Sequence, residues 1–218
     1  MTTQLKTCFL WMAISVWGIL VGTGVFWLYQ FGQTPSPDAV APESWPTAVE
    51  LARGAATPTL LVFIHPHCVC SHASIRELER LTAKLGANLS MTVVFWHPEG
   101  LPPDWHQTSL WTSVCAIPGV NVIDDVGGVT THRFGVATSG QALLYDSLGQ
   151  LRFRGGITPS RGHSGDNVGS DTILSLSRSG PTALLNERQR CSVFGCEMTQ
   201  SGNPAASLVQ TSRGGAGQ

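Results

Sequence analysis

The stretch TLLVFIHPHCVCSHASIRELERLTAKL, Thr59 to Leu85, contains the change of pattern that decides the fold. Thr59–Ile64 is apolar on both of its alternating faces, as in a strand buried in the middle of a sheet. From Ser71 the period becomes that of an amphipathic helix. Ala73, Ile75, Leu78, Leu81 and Leu85 fall on one side, while Arg76, Glu77, Glu79, Arg80 and Lys84 cover the other, and Gly86 ends the run. Between strand and helix, His65-Pro66-His67-Cys68-Val69-Cys70-Ser71-His72 packs two thiols and three imidazoles into eight residues. Such a junction suits redox and soft-metal chemistry. A helix N-terminus stabilises a thiolate, and the thiolate is both the nucleophile and the metal ligand.

Downstream, Leu89–Trp96 reads as a second strand, followed by a loop with Pro98, Pro102 and Pro103 and a short helix over Trp105–Val114. Val120–Asp124 is expected as a short third strand, with a Gly127-Gly128 break and one or two helical turns over Val129–Phe134. Gln141–Tyr145 and Leu151–Arg154 read as an antiparallel hairpin around Asp146–Gly149. The loop Gly155–Gly169 leads to a last helix over Asp171–Ser177, and a short helix is also expected over Pro46–Arg53. Strand–helix–strand, then a hairpin and a helix, gives an α/β fold: a mixed sheet with helices on both faces.

Cys8 to Tyr29 runs 22 residues without a charge. As a helix it reaches roughly 33 Å, enough to cross a bilayer core. Trp11, Trp17, Trp27 and Tyr29 lie partly toward its ends. The apolar run exceeds that of a signal peptide, and the nearest small-residue cleavage pattern, Ala39-Val40-Ala41, lies ten residues beyond Tyr29, so an uncleaved anchor is expected. Lys6 before the span, and Asp38, Glu43 and Glu50 ahead of the first later basic residue, Arg53, place the N-terminus in the cytoplasm and the rest on the periplasmic side. The expected organisation is an anchor over residues 1–30, a Pro/Ser/Ala-rich linker over 31–46, a domain over 47–180, an extension over 181–198 carrying Cys191 and Cys196, and a disordered tail over 199–218.

The net charge of −1, with 12% charged residues and no basic stretch, excludes a phosphate-neutralising nucleic-acid partner. Cysteines at positions 8, 68, 70, 115, 191 and 196 are too sparse for a disulfide scaffold. By spacing, Cys191 and Cys196 either bridge a small loop or leave Cys196 to approach the Cys68/Cys70 pair as a relay. Cys115 reads as a buried free thiol, while His97, His106 and His132 have no partner pattern and read as structural.

A thiol pair after the first core strand, within this order of elements, resembles a membrane-tethered thioredoxin-like protein. His65-Pro66-His67-Cys68-x-Cys70, with Gly155-Gly156-Ile157-Thr158, Arg161-Gly162-His163 and Gly165-Asp166-Asn167, is similar to the RedB-like branch of that superfamily over roughly Trp45 to Cys196. The resemblance implies a thioredoxin-like sheet and thiol chemistry at Cys68 and Cys70. Only Val69 separates the cysteines, where thioredoxins have two residues, and Gly140 stands where their cis-proline would be.

The first functional expectation is a thiol–disulfide oxidoreductase acting on protein thiols or disulfides, or on a redox partner, with no cofactor required. Cys68 attacks and Cys70 resolves, or the reverse, with His67 and His163 near the thiolate and His65, His72, Gly140, Arg161 and Cys196 in support. A Cys68–Cys70 disulfide closes a small ring, and strain in it points toward oxidant or isomerase behaviour. The second expectation is a Cu(I)- or Zn(II)-binding metallochaperone-like module, with Cys68, Cys70 and distant His163 as ligands. The third is a non-catalytic structural domain in which the cysteines only staple.

Overall fold

A computed structural model gives the structure of the chain and describes residues 2–37, 40–47, 49, 51–178 and 189–198. The expected tail over 199–218 and the first part of the C-terminal extension lie outside the described residues. The chain divides into two compact units, Met1–Thr34 and Pro35–Gln218. The first is the helix α1, Thr2–Gln33, whose apolar side chains are exposed all round. Its span Thr3–Gln33 has a mean hydropathy of 1.9 and is long and apolar enough to cross a membrane.

The second unit is built on a five-stranded sheet, β1 (Thr59–Ile64), β2 (Ser90–His97), β3 (Val120–Val126), β4 (Gln141–Tyr145) and β5 (Leu151–Gly156), in the order β3-β2-β1-β4-β5. β1, β2 and β3 are parallel, and β4 runs antiparallel to both β1 and β5. Helices α2 (Ser71–Leu85), α3 (Ser109–Cys115), α4 (Val129–Arg133) and α5 (Val168–Arg178) complete it. A central parallel strand leading into a helix, with an antiparallel hairpin on its other side, is the thioredoxin-like arrangement. Several elements shift or lengthen by one to three residues at their ends, and two expected helical stretches are not helical. Trp105–Thr108 precedes α3 as a loop, and the described residues of Pro46–Arg53 form no helix.

Every residue of β1 is buried, as its two-faced apolar pattern requires. On one face Leu60, Val62, Ile64, Val93, Phe95 and Phe153 meet Ile75, Leu78, Leu81 and Leu85 of α2, Leu110 and Val114 of α3, and Ile173 of α5. On the other, Leu61, Phe63, Trp96, Leu143 and Tyr145 pack against Phe134, just past α4, and against Ala41 and Trp45. Ala41 and Trp45 of the expected linker are therefore part of this core. Trp45 packs edge-on against Phe134 and Tyr145, and the Tyr145 hydroxyl donates to the Pro42 carbonyl at 2.9 Å.

Glu77 is the charged residue on which α2 meets the loop before α5. Its carboxylate is buried, accepts from the Gly165 amide at 2.7 Å and from Asn167 Nδ2 at 3.4 Å, and pairs with the more exposed Arg80 at 2.7 Å. Asn167 in turn accepts from the Ser170 amide at 2.7 Å, capping the start of α5. Glu77→Ala strips the acceptor from both loop donors and is expected to lower unfolding free energy by about 2–3 kcal/mol in a denaturant titration. Arg80→Ala removes an exposed partner and is expected to cost less than about 1 kcal/mol in the same titration.

Candidate functional site

The C-terminal end of β1 turns directly into α2. The Cys68 amide donates to the His65 carbonyl at 3.0 Å, and the amides of Ser71, His72 and Ala73 donate in turn to the carbonyls of Cys68, Val69 and Cys70. Cys70 is the N-cap residue of α2. This winding sends neighbouring side chains apart: Cys68 is 2% exposed, Val69 projects into solvent, and Cys70 is partly exposed. The Ser139 hydroxyl fastens the turn, accepting from the His65 amide at 2.8 Å and bonding the Ser71 hydroxyl at 2.7 Å.

Cys196 completes the site. After Gln189 the chain runs beside β5, with the Cys191 amide donating to the Arg154 carbonyl at 3.1 Å and the Gly156 amide to the Ser192 carbonyl at 3.3 Å. It then crosses the end of the sheet, where the Ser139 amide donates to the Cys196 carbonyl at 2.8 Å and the Met198 amide to the Ala137 carbonyl at 2.7 Å. Gly195 permits the crossing, because a Cβ there would overlap the Ser139 carbonyl. The result is a disulfide between Cys68 and Cys196, with Cα atoms 6.2 Å apart, inside the usual range for a bridge. Cys70 lies beside it: the three sulfurs are all within 4.8 Å of one another.

Of the two alternatives for Cys196, the structure shows its approach to the Cys68/Cys70 pair, and two further expectations are corrected. Cys191 does not bridge to Cys196, because the segment between them spans from the edge of β5 to the tip of β1; Cys191 is a free thiol packed against the helical face of the core. The bonded pair is Cys68–Cys196 rather than Cys68–Cys70, so the small-ring strain argument does not describe this disulfide. Cys115 is also corrected, being a free thiol that is exposed rather than buried.

The other expected site residues divide into those near the thiols and those away from them. The exposed His67 is held by Nε2 to the Trp105 carbonyl at 2.9 Å and by its amide to His65 Nδ1 at 3.1 Å. His65 packs against Trp96 and Trp105, and His72 is exposed on the first turn of α2. Gly140, with φ of 87°, donates its amide to the Phe63 carbonyl at 2.7 Å and leaves the Ser74 hydroxyl room that a Cβ would take. Arg161 donates to the Gly195 carbonyl, and to the Ser36 hydroxyl at 3.3 Å, so it braces the chain next to Cys196. His163 is exposed, bonds the Arg161 carbonyl at 2.9 Å, and is not brought into the cluster of three cysteine sulfurs, which among the described residues includes no imidazole. For Cu(I) or Zn(II), the donor set at this place would be Cys68, Cys70 and Cys196 in reduced form.

Ser36, Ser71 and Ser139 were not expected at the site. The Ser36 hydroxyl donates to the Gly195 carbonyl at 2.9 Å and accepts from the Gly195 amide at 3.3 Å. Isolated serines carry no motif, and Ser36 and Gly195 are 159 positions apart, so the linear sequence holds no signal for them.

Burial, and next the neighbouring charge of His67, hold the His65 imidazole below its ordinary value of 6.5, favouring the neutral ring. Burial pushes the Cys191 thiol up, which makes it a poor nucleophile.

No family model matches the chain, and no curated protein matches it. Among solved structures it is similar to a hypothetical protein from Sinorhizobium meliloti 1021, at 16% identity and a TM-score of 0.51, covering 78% of this chain and 96% of that one. It is also similar to an uncharacterized conserved protein from Geobacillus kaustophilus, at 17% identity and a TM-score of 0.52, covering 79% and 93%. The pneumococcal exposed lipoprotein thioredoxin Etrx1 from Streptococcus pneumoniae matches at 19% identity and a TM-score of 0.41, over 57% of this chain and 85% of that one. The first two likenesses are likenesses of fold.

The lowered His65 value gives a signed pH dependence. The unfolded chain binds this proton near 6.5 and the folded chain only below that, so the His65 contribution to stability is complete above 6.5 and is lost as pH falls through 6.5 toward the folded midpoint. The expected result is an NMR titration midpoint below 6.5, and a stability difference between wild type and His65→Asn that shifts against wild type on acidification. In native alkylation of the oxidised protein, exposed Cys115 is expected to label before Cys191, with Cys68 and Cys196 labelling only after reductant is added; peptide mass spectrometry reads the order.

Proposed function

We propose that the protein is a thiol–disulfide oxidoreductase of the RedB-like branch, anchored in a membrane by α1 with its domain on the periplasmic side. The observation that carries this reading is the meeting of three sulfurs at the β1–α2 junction, two of them in a disulfide and the third partly exposed beside it. Such an arrangement relays a disulfide between the interior and the surface by successive exchange.

The relative exposure of the thiols supports Cys70, rather than Cys68, as the residue that meets the substrate. In the reducing direction the Cys70 thiolate attacks one sulfur of a substrate disulfide. The Cys70–substrate bond forms, the substrate S–S bond breaks, and the first substrate thiolate leaves and takes up a proton. The Cys196 thiolate then attacks Cys70 Sγ and expels the second substrate thiolate. Finally the Cys68 thiolate attacks Cys196 Sγ and returns Cys70 to the thiolate. Two electrons pass from Cys68 and Cys196 to the substrate, no cofactor is needed, and a redox partner restores the dithiol. The reverse sequence oxidises a substrate dithiol. Exposed Val69 offers the substrate chain an apolar contact next to Cys70.

A second reading, a Cu(I)- or Zn(II)-binding module, is favoured by the same three sulfurs lying within 4.8 Å of one another with no histidine among them. Insulin reduction and refolding of scrambled ribonuclease separate the two. The redox reading expects turnover in both, a loss of about 100-fold or more in Cys70→Ser on the scale of other lost nucleophiles, and no change in Cys115→Ser. It also expects Cys196→Ser to accumulate a mixed disulfide on Cys70, visible by mass. A wild-type protein with no turnover that binds one equivalent of Cu(I) under reducing conditions would instead establish the metal module, and neither outcome would leave a structural domain.

A further inference from the structure

We propose that His97, His106 and Asp124 form a metal site for a divalent first-row transition-metal ion, distinct from the thiol cluster and sharing no ligand with it. His97 is the last residue of β2, and strand register sets Phe95 opposite Asp124 on β3. Asp124 therefore lies on the same face as His97, one diagonal step away. His97 Nδ1 lies 2.9 Å and 3.0 Å from the two carboxylate oxygens of Asp124. His106, from the loop between β2 and α3, brings its own Nδ1 to 3.0 Å from Asp124 Oδ2. Despite that distance, His106 Nδ1 is buried and not aligned to form a hydrogen bond. The three donor atoms all lie within 4.8 Å of one another.

Distance and donor chemistry both favour a metal over a simple hydrogen-bond cluster. Ligands at about 2.0–2.1 Å from a tetrahedral zinc ion stand roughly 3.3 Å apart. The nitrogen-to-oxygen separations of 2.9–3.0 Å are within a few tenths of an ångström of that, so an ion enters with little rearrangement. A hydrogen-bond cluster would use the Nδ1 proton of each imidazole, yet His106 is turned out of line for that bond. Two imidazoles and one carboxylate suit Zn(II), Co(II) or Fe(II), and three protein ligands leave a coordination position open. The side chains of His106 and Asp124 are 13% and 21% exposed, so the cluster is partly reachable from solvent.

The rings are held in place before any ion binds. His106 packs on Trp111 of α3 with ring centres 4.3 Å apart, and Trp111 packs on Phe95 at 5.0 Å. Trp105 lies against the His97 ring at 5.5 Å with planes 33° apart. These two indole walls, one of them backed by Phe95, fix imidazole orientation much as hydrogen-bonded partners do in other metal sites. No motif marked the site in sequence, because its ligands come from two strands and the loop between them.

Titration of the full chain in detergent with Co(II), in the oxidised state, tests the proposal. The expected result is one equivalent bound, with d–d absorption and no sulfur-to-cobalt charge-transfer band, and displacement by Zn(II). His106→Gln and Asp124→Asn are each expected to weaken binding by about 100-fold or more, while His132→Gln leaves the titration unchanged. Wild-type ring-nitrogen NMR gives an answer free of any folding defect: Zn(II) is expected to shift the Nδ1 resonances of His97 and His106. Absence of stoichiometric Co(II) binding, binding with thiolate charge transfer alone, or unmoved His97 and His106 resonances would each overturn it. The thiol chemistry at Cys70 is assayed without added metal, so either conclusion fails without the other.

Discussion

The return of the chain from Gln189 to Met198 is the constraint on which the thiol site depends. β1 and α2 place Cys68 and Cys70 at one end of the sheet, but they do not by themselves bring a partner to the buried sulfur. The returning segment does so by using backbone hydrogen bonds first along β5 and then across the sheet end at Ala137 and Ser139. Close backbone approach at several of these contacts falls on glycine. Gly155 and Gly156 lie against Cys191 and Ser192, and Gly195 lies against Ser139. Arg161 and Ser36 then hold the Gly195 peptide from the far side. The edge of β5, which would otherwise present unpaired backbone groups, is covered by the same segment.

The glycine- and arginine-containing loop between β5 and α5 has a double structural role. Its far end is anchored on Glu77, a carboxylate buried among donors, and its near end supplies Arg161 to the returning chain. The first anchor ties the loop to the same helix that carries Cys70 at its N-cap. A helix that begins at the thiols and grips the loop supporting Cys196 keeps the two halves of the site in register. Polar density in this loop is thus explained by bracing, with exposed His163 as the exception.

The sheet was legible from sequence because burial on both faces leaves a continuous apolar run in Thr59–Ile64, and one-sided burial leaves a helical period in Ser71–Leu85. These two segments, with the hairpin, fix the order of the core. The thiol pair was legible for the same reason, since its place between strand and helix is local. The pairing was not. Cys68 and Cys196 are 128 positions apart, and spacing alone left Cys196 open between a bridge to Cys191 and an approach to the Cys68/Cys70 pair. Register along β5, which separates them, is a tertiary property. The histidines failed in the opposite way: His163 carried a motif but reaches no sulfur, whereas His97 and His106 carried none and meet on Asp124.

A bridge across 128 positions also changes what the oxidised state means energetically. In the chain-entropy model, closing a loop of that length stabilises the fold by about 4–5 kcal/mol relative to the reduced unfolded chain. Linkage runs both ways, so a fold that holds Cys196 against Cys68 by hydrogen bonds favours their disulfide by a comparable amount. Taken alone, that would make a bond resistant to reduction. Cys70 alters the balance, because its sulfur lies within 4.8 Å of both partners. In the proposed exchange, attack by Cys70 would break the buried bond without exposing Cys68 and would move the disulfide to a thiol that solvent can reach. On the proposed function, the backbone contacts that lock the bridge would also serve its transfer, since they hold the Cys196 backbone in place.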